Sequence, residues 1–177
     1  MDNKIGGYII AEVTRRLVEQ NIKLPYDLYV VNSVQEEVGL YGARMIANRI
    51  KPDVALVTDV CHITKSPMYN VKKDCETMGG NGCAIEHTAQ NHRQLIEMFR
   101  ELGDENDIKY QLTIGSYGND TMGFFLADGG IPTAIIATPL KYMHTTVEMA
   151  HKDDVESVIK MYLQSLRELD IKTTLLK

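Results

Sequence analysis

VALVTDV, residues 54–60, is apolar almost without a break; its polar members are Thr58 and Asp59. The run is short, valine-rich and lacks the strict alternation of a half-solvated sheet, so it predicts a strand covered on both faces. Such a strand needs helices on either side of its sheet, and the flanking sequence supplies the periodicity. Upstream, Ile5, Ile9, Val13 and Leu17 recur every four residues and predict an amphipathic helix over about 4–20, with Pro25 marking its exit. Residues 28–34, rich in β-branched and aromatic side chains, read as another strand. It is followed by Glu36-Glu37, a glycine-punctuated turn over 39–42 and a short helix to about Ile50.

Downstream, residues 61–90 hold all three cysteines and little periodicity, and read mostly as loop with one short strand near 84–87. Asn91 and Gln94 have the spacing of a capping box. Leu95, Ile96, Phe99 and Leu102 then form one helical face that ends at Gly103. Strand signals return at 110–114 and 131–138, with a helix between them over about 120–127. Asp153 with Glu156 predicts the cap of a last helix whose core face is Val155, Ile159, Tyr162, Leu163 and Leu166. Helices alternating with buried strands imply a three-layer α/β/α fold around a mixed, largely parallel sheet, expected as a single domain over residues 1–177.

Composition narrows the function. Hydrophobic residues make up 44% and charged residues 24%, values of an ordinary globular chain that argue against disorder. The net charge of -5 and the isolated pairs Arg15-Arg16 and Lys72-Lys73 offer no basic track for nucleic acid. The longest apolar stretches, such as 131–139, are too short to span a bilayer, and no basic-then-apolar leader opens the chain, so a cytoplasmic protein without membrane partners is expected. Cys61, Cys75 and Cys83 are odd in number and lack CxxC spacing, which points to free thiols rather than a disulfide framework or a cysteine zinc site.

In α/β sheets ligands gather beyond the carboxyl ends of strands. The acidic residues fall accordingly: Glu36 and Glu37 follow the strand that starts at 28, Asp59 closes the strand that starts at 54, and His144 follows the last strand. Oxygen and imidazole donors in one place suit zinc, manganese or cobalt. Each residue alone also has an ordinary reading. A Glu-Glu pair is commonly a solvated face, Asp before a helix is a routine N-cap, and a single histidine is more often a hydrogen-bonded structural residue. Asp59, embedded in an apolar run, needs compensation for lost water. His62, His87, His92 and His151 read as structural or surface residues.

The order of the segments adds a resemblance. MDNKIGG (1–7), SVQEEVGLYGA (33–43), VTDV (57–60), YGNDTMG (117–123), GGIPTAIIATPLKYMHTTVEM (129–149) and the later Asp153 resemble the catalytic half of the co-catalytic metallo-aminopeptidases called tetrahedral, deblocking or glutamyl aminopeptidases, some of which are labelled cellulase or endoglucanase. QEEVGLYGA and PLKYMHTTVE carry most of the specificity. The resemblance implies Asp2 as the carboxylate bridging two metal ions (zinc, cobalt or manganese). Glu37 and His144 would be the remaining ligands of one ion, Asp59 a ligand of the other, and Glu36 the general base.

Peptides are the implied substrates, with Asp120 and Lys141 on the substrate side, and a homo-oligomer is the implied assembly. Relatives also carry a metal-binding histidine on an earlier strand and a small domain inserted before the bridging aspartate, neither of which this sequence contains. A fold N-terminally truncated relative to the family is therefore expected, with at most one well-occupied metal and little activity in this chain alone. Two positions depart from the pattern: Lys141 stands where relatives commonly have arginine, and Asn119 where they often have threonine. A non-catalytic assembly or binding fragment of the same fold, and a glycoside hydrolase, are the alternatives.

Overall fold

The structure, a computed structural model, describes residues 1–65, 69–115 and 118–170, apart from the side chain of residue 74. Its elements, in chain order, are α1 (Lys4–Glu19), α2 (Tyr41–Ile50), β1 (Ala55–His62), α3 (Val71–Asp74), β2 (Cys83–Glu86), α4 (Arg93–Glu105), β3 (Tyr110–Thr113), α5 (Thr121–Phe125), β4 (Thr133–Lys141), β5 (Met149–Ala150) and α6 (Lys152–Glu168).

The sheet is organised around β4, whose residues from Thr133 to Leu140 are all buried. β1 runs parallel to it along its whole length, from Ala55 opposite Thr133 to His62 opposite Leu140. On the other side β2 pairs antiparallel with β4 through Ala84 and Ile85, and β3 pairs parallel with β2. The order is thus β1-β4-β2-β3, with the two-residue β5 antiparallel to the end of β4. Most of the ladder is parallel, as the apolar runs predict.

One face is covered by α1, α4 and α6, whose stripes bring Ile9, Val13, Leu17, Leu95, Phe99, Val158 and Ile159 against Ile85, Ala134 and Ile136. Each fully buried aliphatic or aromatic side chain here contributes about 1.5–3 kcal/mol. The Tyr162 hydroxyl, buried in this layer, accepts from the Ile136 amide at 3.1 Å and donates to the Val57 carbonyl, so α6 is tied to both β4 and β1. The other face carries α2 and α5 with a smaller cluster of Ala47, Ala55, Ala127 and Ile131, against which Phe124 packs.

Several expectations are corrected. Residues 28–34 form no ladder. Val31 and Ser33 are partly buried while Val30, Asn32 and Val34 are exposed, so the alternation is strand-like, but no strand among the described residues pairs with it. β-Propensity expresses fit to neighbours, and here the neighbour is lacking. β1 continues to His62, so Asp59 lies within the strand, opposite Ala137, rather than closing it.

The caps shift by a residue or two. α1 is capped by Asn3, whose Oδ1 accepts from Gly6 N at 2.8 Å, not by Asp2. His92 takes the N-cap position of α4 without a side-chain capping bond, and the helix runs past Gly103 to Glu105, while Asn91 donates to the Glu86 carbonyl. α6 is capped by His151, whose side chain accepts from Asp153 N.

Candidate metal centre

Three segments converge above the sheet: the residues before α1, the turn before α2, and the loop after β4. Asp2, Glu37 and His144 each offer a ligand atom, and the three atoms lie within 4.8 Å of one another. His144 Nε2 is 3.1 Å from Asp2 Oδ2 and 3.6 Å from Glu37 Oε1. The Asp2–Asn3 peptide is cis, and the Asn3 side chain both caps α1 and donates to the Thr58 carbonyl of β1 at 3.1 Å, which moors this end of the chain to the sheet.

The Glu36–Glu37 turn is fixed by its backbone. The Glu36 carbonyl accepts from Gly39 N and Leu40 N, and Gln35 and Leu40 have left-handed φ values of 60° and 58°. Gly42 N donates to the Val34 carbonyl at 2.9 Å, and a Cβ on Gly42 would lie only 2.4 Å from that oxygen. Gly42→Ala is therefore expected to destabilise the fold by about 1–3 kcal/mol and to weaken metal binding through the displaced turn. Thermal melts paired with a metal titration would show both losses, and unchanged values would contradict the role given to this close approach.

His144 lies in the loop after β4 with φ 62°. Glu148 holds it: Glu148 Oε1 accepts from His144 N at 2.9 Å, while Oε2 accepts from Asp2 N at 3.1 Å. This carboxylate links two of the three converging residues. Sequence reading passed over it, although an acid four residues after His144 in a specific motif was a usable signal.

Three further carboxylates surround the trio. Burial pushes the Glu36 carboxyl up to about 7, helped by Asp120, Glu37 and Asp2 and opposed by His144. Asp59, more deeply buried, is pushed up to about 8, against the hydrogen bond it accepts from Val60 N at 2.9 Å. Burial also raises Asp2, and Glu37 adds to the effect. Asp120 is raised by burial and opposed by the hydrogen bond its Oδ2 accepts from Ser33, a residue of the segment leading to Glu36. Acids that resist ionisation in one another's company are the environment a divalent cation relieves. Oxygen, oxygen and nitrogen donors with no thiolate fit zinc, manganese or cobalt.

Of the sequence candidates, Asp2, Glu37 and His144 converge and Glu36 stands beside them. Asp59 and Asp120 belong to the electrostatic surroundings and not to the three-donor cluster. Lys141 lies over the Tyr142 ring, 4.7 Å from its centroid, and forms no ion pair among the described residues. His62, read as structural, ends β1 with its ring 6.2 Å from that of His144.

The acid that α6 buries is Asp154, not Asp153. Asp154 accepts from Gly80 N and Gly82 N, both at 2.8 Å, and has no exposed surface. Its phase with Val158, Met161 and Ser165 on the buried stripe was the available clue. Tyr117 of the YGNDTMG motif lies outside the described residues.

These carboxyls set a pH dependence. Asp59, Glu36 and the buried Glu86, itself pushed up to about 7 by burial, hold protons more tightly folded than unfolded. Their contribution is fully present below the unfolded values of 3.8 to 4.5 and is lost as pH rises through about 7 to 8. The metal-free protein should melt several degrees lower at about pH 8 than at about pH 5, and added divalent cation should reverse the loss. Melting curves across pH check this; a Tm that rises with pH without metal would contradict it.

The family profile of the M42 glutamyl aminopeptidases matches residues 1–161. The chain belongs to this family. It is 32% identical over 171 residues to the lysyl aminopeptidase of Pyrococcus furiosus, covering 96% of this chain and 47% of that protein. Among solved structures it resembles the TET aminopeptidase of a marine sediment Thaumarchaeota archaeon, with a TM-score of 0.90 and 28% identity over 98% of this chain and 49% of that one. The Pyrococcus horikoshii TET1 peptidase, described as able to assemble into a tetrahedron or a large octahedral shell, matches with a TM-score of 0.75 and 26% identity over 95% of this chain and 48% of that one. This M42 chain thus spans about half the length of the relatives it matches. No helix among its described residues is long and apolar enough to cross a membrane.

Proposed function

We propose that this M42 chain carries the metal- and base-bearing part of an aminopeptidase that removes the N-terminal residue from peptides. The observation that carries the reading is the convergence of Asp2, Glu37 and His144 donors within 4.8 Å of one another, beside a glutamate raised to about 7. Asp2, Glu37 and His144 would hold one ion of zinc, manganese or cobalt. Asp59, within β1, would contribute to a second, poorly occupied ion. When bound, the cations supply Lewis acidity to a water and to the scissile carbonyl.

The protein's own residues perform the rest. Glu36, which stands beside the three donors and outside their cluster, takes a proton from the attacking water and returns it to the departing amine. Glu148 keeps Asp2 and His144 in register by their backbone amides. Asp120 has one oxygen bonded to Ser33, while its other oxygen, Oδ1, is buried without a protein partner among the described residues. As the substrate-side carboxylate, Asp120 would pair with the α-ammonium of a peptide's first residue and restrict cleavage to that end. Assembly as a homo-oligomer is part of the proposal, in keeping with the self-assembling P. horikoshii peptidase. So is a cytoplasmic setting, which suits three free cysteines.

The test is hydrolysis of aminoacyl p-nitroanilides by protein loaded with cobalt, zinc or manganese, run beside N-acetylated analogues. Low but metal-dependent turnover of the free-amine substrates alone, abolished by a chelator and restored by metal, is expected. Absence of turnover in every metal would favour a binding or assembly role, and hydrolysis of a glycoside that survives the chelator would favour the glycosidase.

A further inference from the structure

Glu86 is 2% exposed at the carboxyl end of β2, inside the sheet, and the catalytic scheme above makes no use of it. A side chain of this type is rarely buried without a task. The Gly115 backbone is pressed against it: a Cβ there would lie 1.9 Å from Glu86 Oε2. Asn119 Nδ2 donates to that same Oε2 at 3.3 Å. The other end of the Asn119 amide faces the start of α5, its Oδ1 accepting from Thr121 N at 3.1 Å and from the Thr121 hydroxyl. Asn119 and Thr121 are themselves buried, and Asp120 stands between them.

We propose that Glu86 is a positioning residue for Asp120, acting through Asn119; the functional half of this inference rests on the aminopeptidase reading. α5 spans only Thr121–Phe125, too short to fix its own start. The Asn119 amide fastens that start to β2, a strand held on both sides by β4 and β3. Asp120 is thereby held between two anchors: Ser33 on the segment leading to Glu36, and the Glu86–Asn119 bond to the sheet. Spanning both partners takes the two ends of an asparagine amide. A threonine hydroxyl, one bond shorter and a single atom, cannot reach Glu86 while accepting from both Thr121 groups. Protonated or ionised, Glu86 keeps an oxygen that can accept from Asn119.

The experiment compares Glu86→Leu, Glu86→Gln and Asn119→Ala in the full chain by site-resolved hydrogen exchange and by kinetics with free-amine substrates. Glu86→Leu and Asn119→Ala should speed exchange at the amides of 119–124 at least tenfold while β1 and β4 stay protected, and Glu86→Gln, which retains an acceptor oxygen, should stay within about threefold of the parent. In kinetics, Glu86→Leu should lower kcat/KM about tenfold, chiefly through KM, and that loss should shrink to less than about twofold when Asp120 is already alanine. Should Glu86→Leu fail to fold, Asn119→Ala carries the same two expectations with the sheet untouched.

Unchanged exchange at 119–124, or a rate loss of equal size in the Asp120→Ala background, overturns the proposal. If no variant or parent hydrolyses any substrate, the aminopeptidase reading falls, and the exchange comparison still decides whether Glu86 positions Asp120.

Discussion

Glu36→Gln is expected to lower turnover of an aminoacyl p-nitroanilide by about 10²–10⁴-fold, with metal affinity within about threefold of the parent. Glutamine keeps the volume and an acceptor oxygen but cannot take a proton. Glu36 is suited to that task by burial and by its acidic neighbours Asp120, Glu37 and Asp2, which lift it to about 7. It lies outside the three-donor cluster, so its loss should leave the ion in place. The adjacent carboxylate differs: Glu37 Oε1 lies 3.6 Å from His144 Nε2, and Glu37→Gln should weaken the ion itself. Calorimetric metal titration alongside steady-state kinetics separates the two. Equal losses of metal in both variants, or normal turnover in Glu36→Gln, would remove the division of labour between these neighbours.

His144→Ala should abolish the metal-induced rise in Tm. The ion would retain two carboxylates and lose its one nitrogen donor, and affinity should fall by more than about 100-fold, beyond the effect of losing an outer-shell partner. Asp2→Asn should act in the same direction, because it removes a charge from the carboxylate 3.1 Å from His144. Lys141→Ala, at a residue whose ammonium rests on Tyr142, should leave metal affinity unchanged. Melting curves with and without cobalt give the comparison. A metal-dependent rise that persists in His144→Ala would place the ion elsewhere.

Much of the fold is legible in the sequence where a periodic pattern coincides with burial. The four-residue recurrence of α1, the run that becomes β1 and the stripe of α6 bury most of the side chains their spacing predicts, apart from the partly buried Ile5, Val54, Leu56 and Val155. Residues 28–34 carry an equally good strand signal and form no ladder, because a strand is completed by a partner that no local pattern specifies. Helix caps drift for a related reason. Asn91, His92, His151 and Asp153 are all polar residues near helix starts, and the sequence alone does not place the boundary among them to the residue.

The site divides similarly. Asp2, Glu37 and His144 are named by motif resemblance, and the structure brings their donors together. Glu148, Asp154 and Glu86 are not singled out by any motif reading, and their roles show only in the groups they meet. What marks them is the backbone amide or buried amide they meet from other segments, at distances of 2.8–3.3 Å. Asp120 lay between these cases. The motif named it, and only the fold reveals Ser33 on one side and Asn119 leading to Glu86 on the other.

The most direct measurement is anomalous diffraction at the cobalt or zinc edge from crystals of the metal-loaded chain. The expected result is a peak about 2.0–2.2 Å from Asp2, Glu37 and His144 donor atoms, absent from His144→Ala crystals grown in the same metal. No peak at full metal loading, or a peak away from these three residues, would contradict the account of this site as a metal centre.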